Sequence, residues 1–257
     1  MASLERSGVR IYYEVHGDGS PAILLTHGFT ESGDMWKEQF EALSSTHRLI
    51  VWDMRGHGRT DYPEDLQAYS EAATVDDMKA ILDAEQVDSA IIGGMSLGGY
   101  MSLAFYRRYP QRVRALILVD TGPGMRNDQA REEWNRWALG CAEQFREKGL
   151  DYLEAVGERS GYTQHRSAAG LVNAATGMLT QSGPEVIDSL PHITVPTLLI
   201  VGENDKPFLQ AMAYMEQKIP GAKRLVFPGA GHVANVDRAD LFNDAVMEFV
   251  SDLAQEK

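Results

Sequence analysis

Ser89-Ala90-Ile91-Ile92-Gly93-Gly94-Met95-Ser96-Leu97-Gly98-Gly99-Tyr100 is the stretch whose reading decides the fold. It opens as a short apolar run of strand type and breaks at glycines. It resumes with helical spacing at Leu97, Tyr100, Met101, Ala104 and Phe105. A serine at such a break sits on a turn too tight for an ordinary side chain on either flank. Gly94 and Gly98, two residues to each side, let the strand and the following helix approach that closely. This geometry lifts the Ser96 hydroxyl above the sheet edge and sets a helix N-terminus beneath it, where developing negative charge is stabilised. A plain strand-to-helix turn is the alternative.

Working outward, Val9 to Val15 alternates like an outer strand, and a turn follows at Gly17-Asp18-Gly19-Ser20-Pro21. Ala22 to Thr26 is a continuous apolar strand of the kind buried on both faces, and it runs into His27-Gly28-Phe29-Thr30. Asp34 to Leu43 reads as a helix. Arg48 to Trp52 is the next strand, ending in the glycine-rich loop Asp53-Met54-Arg55-Gly56-His57-Gly58-Arg59-Thr60. Thr74 is the expected N-cap of a helix that closes near Gln86, with Asp77 as its capping partner. The helix after Ser96 stops before Pro110, and Arg114 to Asp120 is a further buried strand. From Gly124 to about Pro191 the strand rhythm ceases and only helical pattern and breaks remain. It returns with Thr197 to Val201, Pro207 to Ile219, Arg224 to Phe227 and Leu241 to Leu253. Strands and helices alternating in this way predict an α/β fold, a mostly parallel sheet covered on both faces. The expected organisation is a core over residues 1–123 and 192–257, with a helical insertion at 124–191.

The 257 residues suffice for one full core. A net charge of −13 argues against nucleic acid or an anionic membrane as a partner. Cys141 is the single cysteine, so no intramolecular disulfide forms; it falls in a charged helical stretch and is read as a packed or surface thiol. No apolar run reaches membrane-spanning length, Met1 to Gly8 lacks the apolar core of a secretory signal, and a reducing, cytoplasmic setting is expected. The histidines lack metal-site spacing, no Walker lysine is present, and Gly17-Asp18-Gly19 precedes a strand, so no metal and no cofactor is expected.

Gly94-Met95-Ser96-Leu97-Gly98 resembles the nucleophile elbow of the α/β-hydrolase superfamily, and the likeness extends over nearly the whole chain. A serine hydroxyl needs a base within hydrogen-bond reach, and a histidine base needs a carboxylate to fix its tautomer. In the family these partners follow in the order Ser, Asp or Glu, His. Asp205, in the loop after the strand ending at Val201, and His232, after the last strand, stand in that order. Asp120, at the end of an earlier strand, is the rival acid, and Glu203 is a neighbouring carboxylate. Of the other histidines, His16 and His47 lie before strands, His165 and His192 belong to the insertion, and His57 precedes the serine. By resemblance the amides of Leu97 and Phe29 form the oxyanion hole, His27 braces that loop, and the Asp53 to Gly58 loop is a structural turn with an internal charge pair. The insertion occupies the place of a helical cap, where Met125, Trp134, Trp137 and Met178 either roof the pocket or hold the cap together.

Epoxide hydrolases and haloalkane dehalogenases of this fold carry aspartate where this chain has Ser96. Carbon–carbon hydrolases typically place Asn before the serine, where Met95 stands here. The elbow is most similar to those of small carboxylesterases and enol-lactonases, some of which perform perhydrolysis. Cleavage of a small ester or lactone is therefore the expected activity. Carbon–carbon cleavage, perhydrolysis or a non-catalytic small-molecule receptor are the alternatives.

Overall fold

Runs of consecutive apolar residues form the middle of the sheet. The computed structural model describes residues 1–156 and 164–255. β3 (Ala22–Thr26), β5 (Ala90–Met95) and β7 (Thr197–Gly202) are buried at every position, and β4 (Arg48–Trp52) and β6 (Val113–Val119) at all but one. β1 (Ala2–Arg6), β2 (Val9–His16) and β8 (Lys223–Phe227) complete an eight-stranded sheet of order β1-β2-β4-β3-β5-β6-β7-β8. Only the β1–β2 and β2–β4 pairs are antiparallel.

The two-residue period of a strand sorts its side chains into two core layers. Ile23, Leu25, Ile91 and Ile117 face one layer, which α1 (Lys37–Ser44) and α10 (Ala239–Gln255) cover with Leu43, Phe242 and Val246. Leu24, Ile92, Leu116 and Leu118 face the other. There α2 (Glu71–Ala84), α3 (Leu97–Arg108) and α8 (Lys206–Lys218) contribute Met78, Phe105 and Met212. The chain between β6 and β7 holds α4 (Asp128–Lys148), α5 (Tyr152–Val156), α6 (Ala168–Ala174) and α7 (Glu185–Ser189). Phe145 of α4 packs there in a separate apolar cluster with Leu171 and Val172.

Two local expectations are corrected, and one edge strand is added. α2 starts earlier than Thr74 implies: Ser70 is extended, and its hydroxyl accepts the Ala73 N–H at 3.1 Å. Thr74 is already one turn inside, where its hydroxyl donates to the Ser70 carbonyl at 2.9 Å. β1 forms an edge strand from a segment with little apolar patterning, because β2 offers it a complete antiparallel ladder. In the Asp53 loop the charge pair joins Asp53 to Arg59, while Arg55 turns away to Asp77.

That Arg55–Asp77 pair is buried. The guanidinium donates two bonds, Nε at 2.6 Å and Nη2 at 2.9 Å, and Arg6 Nη1 adds a third contact to Asp77 at 2.7 Å. Arg55 is 3% exposed, so removing the carboxylate strands a charge in the core. Asp77→Ala is expected to lower the unfolding free energy by about 3–5 kcal/mol, read from urea midpoints. A loss below about 1 kcal/mol would mean that Arg55 regains water in the variant.

Candidate active site

Ser96 stands between β5 and α3 with φ 51° and ψ −116°, a region that non-glycine residues occupy at a cost of about 1–3 kcal/mol. The flanking glycines hold it there. A methyl group on Gly94 would lie 2.5 Å from the Gly98 backbone and 2.6 Å from the Thr26 carbonyl, and one on Gly98 would collide with that same carbonyl. Further bonds hold the turn: the Ser96 N–H donates to the Val119 carbonyl at 2.9 Å, and the Thr121 hydroxyl donates to the Ser96 carbonyl at 2.6 Å.

The structure brings Ser96, His232 and Asp205 together. His232 Nε2 lies 3.1 Å from Ser96 Oγ, and His232 Nδ1 lies 2.7 Å from Asp205 Oδ2. With Nδ1–H donating to the carboxylate, Nε2 is left to accept the serine proton. The C-terminal edge of a parallel sheet assembles all three, from the end of β5, the turn after β7 and the loop after β8. Phe208 stacks on the His232 ring at 4.8 Å and 27°.

Asp120 occupies a different place. Its Oδ1 accepts the Gly202 N–H at 2.8 Å and its Oδ2 the Ala234 N–H at 2.9 Å. It therefore ties the end of β7 to α9 (Ala234–Asp237), bracing both loops that carry the relay. Burial, with the Asp205 carboxylate beside it, pushes the Asp120 carboxyl above the usual carboxylate range. Glu203 faces outward, accepting the Gly229 N–H at 2.9 Å.

Leu97 is the first residue of α3, so its amide has no carbonyl four residues back to bond. Phe29 follows Gly28, whose Cα is so close to Ser96 that an added methyl would sit 3.4 Å from the Ser96 Cβ. Both residues, with Ser96 and His232, line a cavity of about 900 Å³. Met125, Trp134 and Trp137 line it too. Met178 does not: it is 1% exposed and packed in the core, because the turn after α6 points it inward.

Residues 21–160, more than half of the chain, match the family described as alpha/beta hydrolase fold. The chain belongs to the α/β-hydrolase fold family. A Bacillus subtilis (strain 168) protein provisionally named a 2-succinyl-6-hydroxy-2,4-cyclohexadiene-1-carboxylate synthase is 32% identical, over 96% of each chain. A pimeloyl-[acyl-carrier protein] methyl ester esterase of Nitrosospira multiformis is 26% identical, over 94% of this chain and 98% of the other. Among solved structures, a thermophilic esterase from Thermogutta terrifontis superposes with a TM-score of 0.84 at 27% identity, covering 98% of this chain and 97% of that one.

The remaining histidines of this α/β-hydrolase fold protein lie off the relay. His27 is fully buried, its Nε2 accepting the Met54 N–H at 2.9 Å and its Nδ1–H donating to the Gly28 carbonyl at 2.7 Å. It thus fixes the loop that carries Phe29. The rings of His57 and His27 are 4.9 Å apart, and His165 bonds the Thr30 carbonyl at 2.9 Å. Among the described residues no group of His, Cys, Asp and Glu is arranged to hold a metal ion.

Burial lowers the His27 pKa to about 4, and it lowers that of His57 as well. A histidine whose folded pKa lies below its unfolded value of about 6.5 contributes stability above pH 6.5 and loses it as pH falls through the folded pKa. His27 accordingly withdraws on the order of 3 kcal/mol between about pH 6.5 and 4. Melting temperatures of the protein and of His27→Gln across that range check this. The variant is expected to be less stable at pH 7 and to show a flatter profile, and parallel profiles would rule His27 out as the source.

Sequence reasoning missed Thr121, Phe208 and the bracing bonds of Asp120. Phe208 carries a weak signal, three residues after Asp205. The Thr121 bond has none, since nothing in a lone sequence reports that the second residue after β6 reaches the turn after β5.

Proposed function

We propose that this protein is a serine hydrolase that cleaves carboxylic esters, lactones among them, through an acyl-enzyme on Ser96. Support comes from the hydrogen-bonded chain Ser96 Oγ–His232–Asp205 on a strained turn at the floor of an apolar cavity. His232 takes the serine proton as Oγ attacks the carbonyl carbon, and Asp205 stabilises the imidazolium. The Leu97 and Phe29 amides hold the oxyanion. The carbon–oxygen bond of the alcohol then breaks, and the alcohol leaves with the proton from His232. Water, deprotonated by the same imidazole, attacks the acyl-enzyme and releases the acid and free Ser96.

Two of the relatives are named for ester cleavage. The compound named for the Bacillus subtilis relative carries a carboxylate. Among the described residues lining this cavity there is no Lys or Arg to pair with one, which disfavours carboxylate-bearing substrates here. A small-molecule ester or lactone is thus the proposed partner, and the reducing cytoplasm its proposed setting; among the described residues no helix is long and apolar enough to cross a membrane.

A fluorophosphonate probe is expected to label the protein and not Ser96→Ala, with turnover of a short p-nitrophenyl ester lost in parallel. Labelling without turnover of any ester would favour a receptor on this fold.

A further inference from the structure

The cavity over Ser96 has a direction. Trp134, Trp137, Cys141 and Phe145 recur at steps of three or four residues along α4, so they share one helix face, and all four line the cavity. Exposure falls along that face from 53% at Trp137 to 8% at Cys141 and 1% at Phe145. At the outer end the Trp134 indole N–H donates to the Leu179 carbonyl at 2.8 Å, and the Trp137 ring lies 4.7 Å from that anchored ring. At the inner end the Phe145 ring meets Phe29 at 6.1 Å and Tyr152 at 5.0 Å. Phe29 follows Gly28, whose Cα approaches the Ser96 side chain. The result is an apolar slot, closed beside the nucleophile and open at Trp137. At about 1.5 Å of rise per residue the step from Phe145 to Trp137 covers roughly 12 Å.

We propose that this slot binds one arm of the ester as an extended, uncharged apolar chain, running from Ser96 beneath Cys141 toward Trp137. The proposal rests on the hydrolase reading and deepens it by naming the substrate class. Each methylene held against α4 leaves water, and neither its aromatic rings nor the Cys141 thiol offers a cation to pair a carboxylate. The arm is either the acyl chain or the alkyl chain of the alcohol, and two substrate series separate them.

The test measures kcat/KM for p-nitrophenyl acetate, butyrate, octanoate and dodecanoate, and for acetate esters of alcohols graded in the same way. In one series kcat/KM is expected to rise about fourfold per methylene, from about 0.8 kcal/mol each, and to level off once the chain emerges past Trp137. Replacing the terminal methyl of the preferred chain by a carboxylate is expected to cost at least about a hundredfold. Cys141→Trp fills the middle of the slot and is expected to cut the preference for the long chain over acetate at least tenfold. Cys141→Leu is expected to cut it less, and fluorophosphonate labelling of Ser96 reports that each variant is folded. Two flat series, a preferred carboxylate-ended ester, or an unchanged chain preference in Cys141→Trp would overturn the slot and leave the hydrolase standing. Absence of both labelling and turnover would remove the hydrolase, and the slot with it.

Discussion

Ser96→Ala is expected to lower kcat for a p-nitrophenyl ester by on the order of 10⁴–10⁶, with KM changed by less than about threefold. The asymmetry follows from where the hydroxyl acts. It forms a bond only along the reaction coordinate, and it supplies a small part of the surface that a bound ester meets in a cavity of about 900 Å³. Alanine fits the turn: it keeps the Cβ beside Gly28 and carries the same left-handed strain that serine does. Stability should therefore stay within about 1 kcal/mol of the parent, and the rate loss can be assigned to chemistry. A residual rate above about one per cent, measured on protein free of other esterases, would falsify the acyl-enzyme. Water would then be attacking directly, with His232 as its base.

The second large effect separates two buried carboxylates. Asp205→Asn is expected to lower kcat about 10⁴-fold with little loss of stability. An amide at that position can turn its N–H₂ toward Nδ1, and the imidazole then presents its N–H to Ser96 instead of a lone pair. Asp120→Asn is expected to do the reverse. Its carboxylate accepts two backbone N–H groups, from Gly202 and Ala234, and an amide oxygen serves only one of them. One buried donor is left unpaired, at about 1–3 kcal/mol of stability, while turnover falls by less than about tenfold. Activity and urea unfolding measured on both variants decide the matter. A crippled Asp120→Asn beside a mild Asp205→Asn would move the acid of the relay to the end of β6.

The fold was legible because its central strands carry their burial in their composition. Ile91-Ile92, Leu116 to Val119 and Leu198 to Val201 are apolar on both faces, the pattern of strands in a sheet covered from both sides. Edge elements were less legible. Ala2 to Arg6 has no pattern that demands a strand and becomes one because β2 has an open ladder. Thr74 is a good capping residue in isolation, yet Ser70 takes the role because the chain is extended there and not four residues later. Arg55 and Asp53 stand two positions apart and belong to different ion pairs, since Asp77 is reached only through the packing of α2.

By itself the sequence determined the elements and the order of the reactive residue types: a serine between strand and helix, an aspartate and a histidine in later loops, and a stretch without strands between. Those are local properties, written in side-chain periodicity and in glycines that no other residue replaces. The tertiary structure alone decided which atoms meet. It set Asp205 and not Asp120 on the imidazole, kept Met178 out of the cavity that Trp134 and Trp137 enter, and opened the slot under α4 toward Trp137. Hydrogen bonds act over about 3 Å, and contact at that range between residues 136 positions apart, as in Ser96 and His232, comes from the packing of the whole sheet.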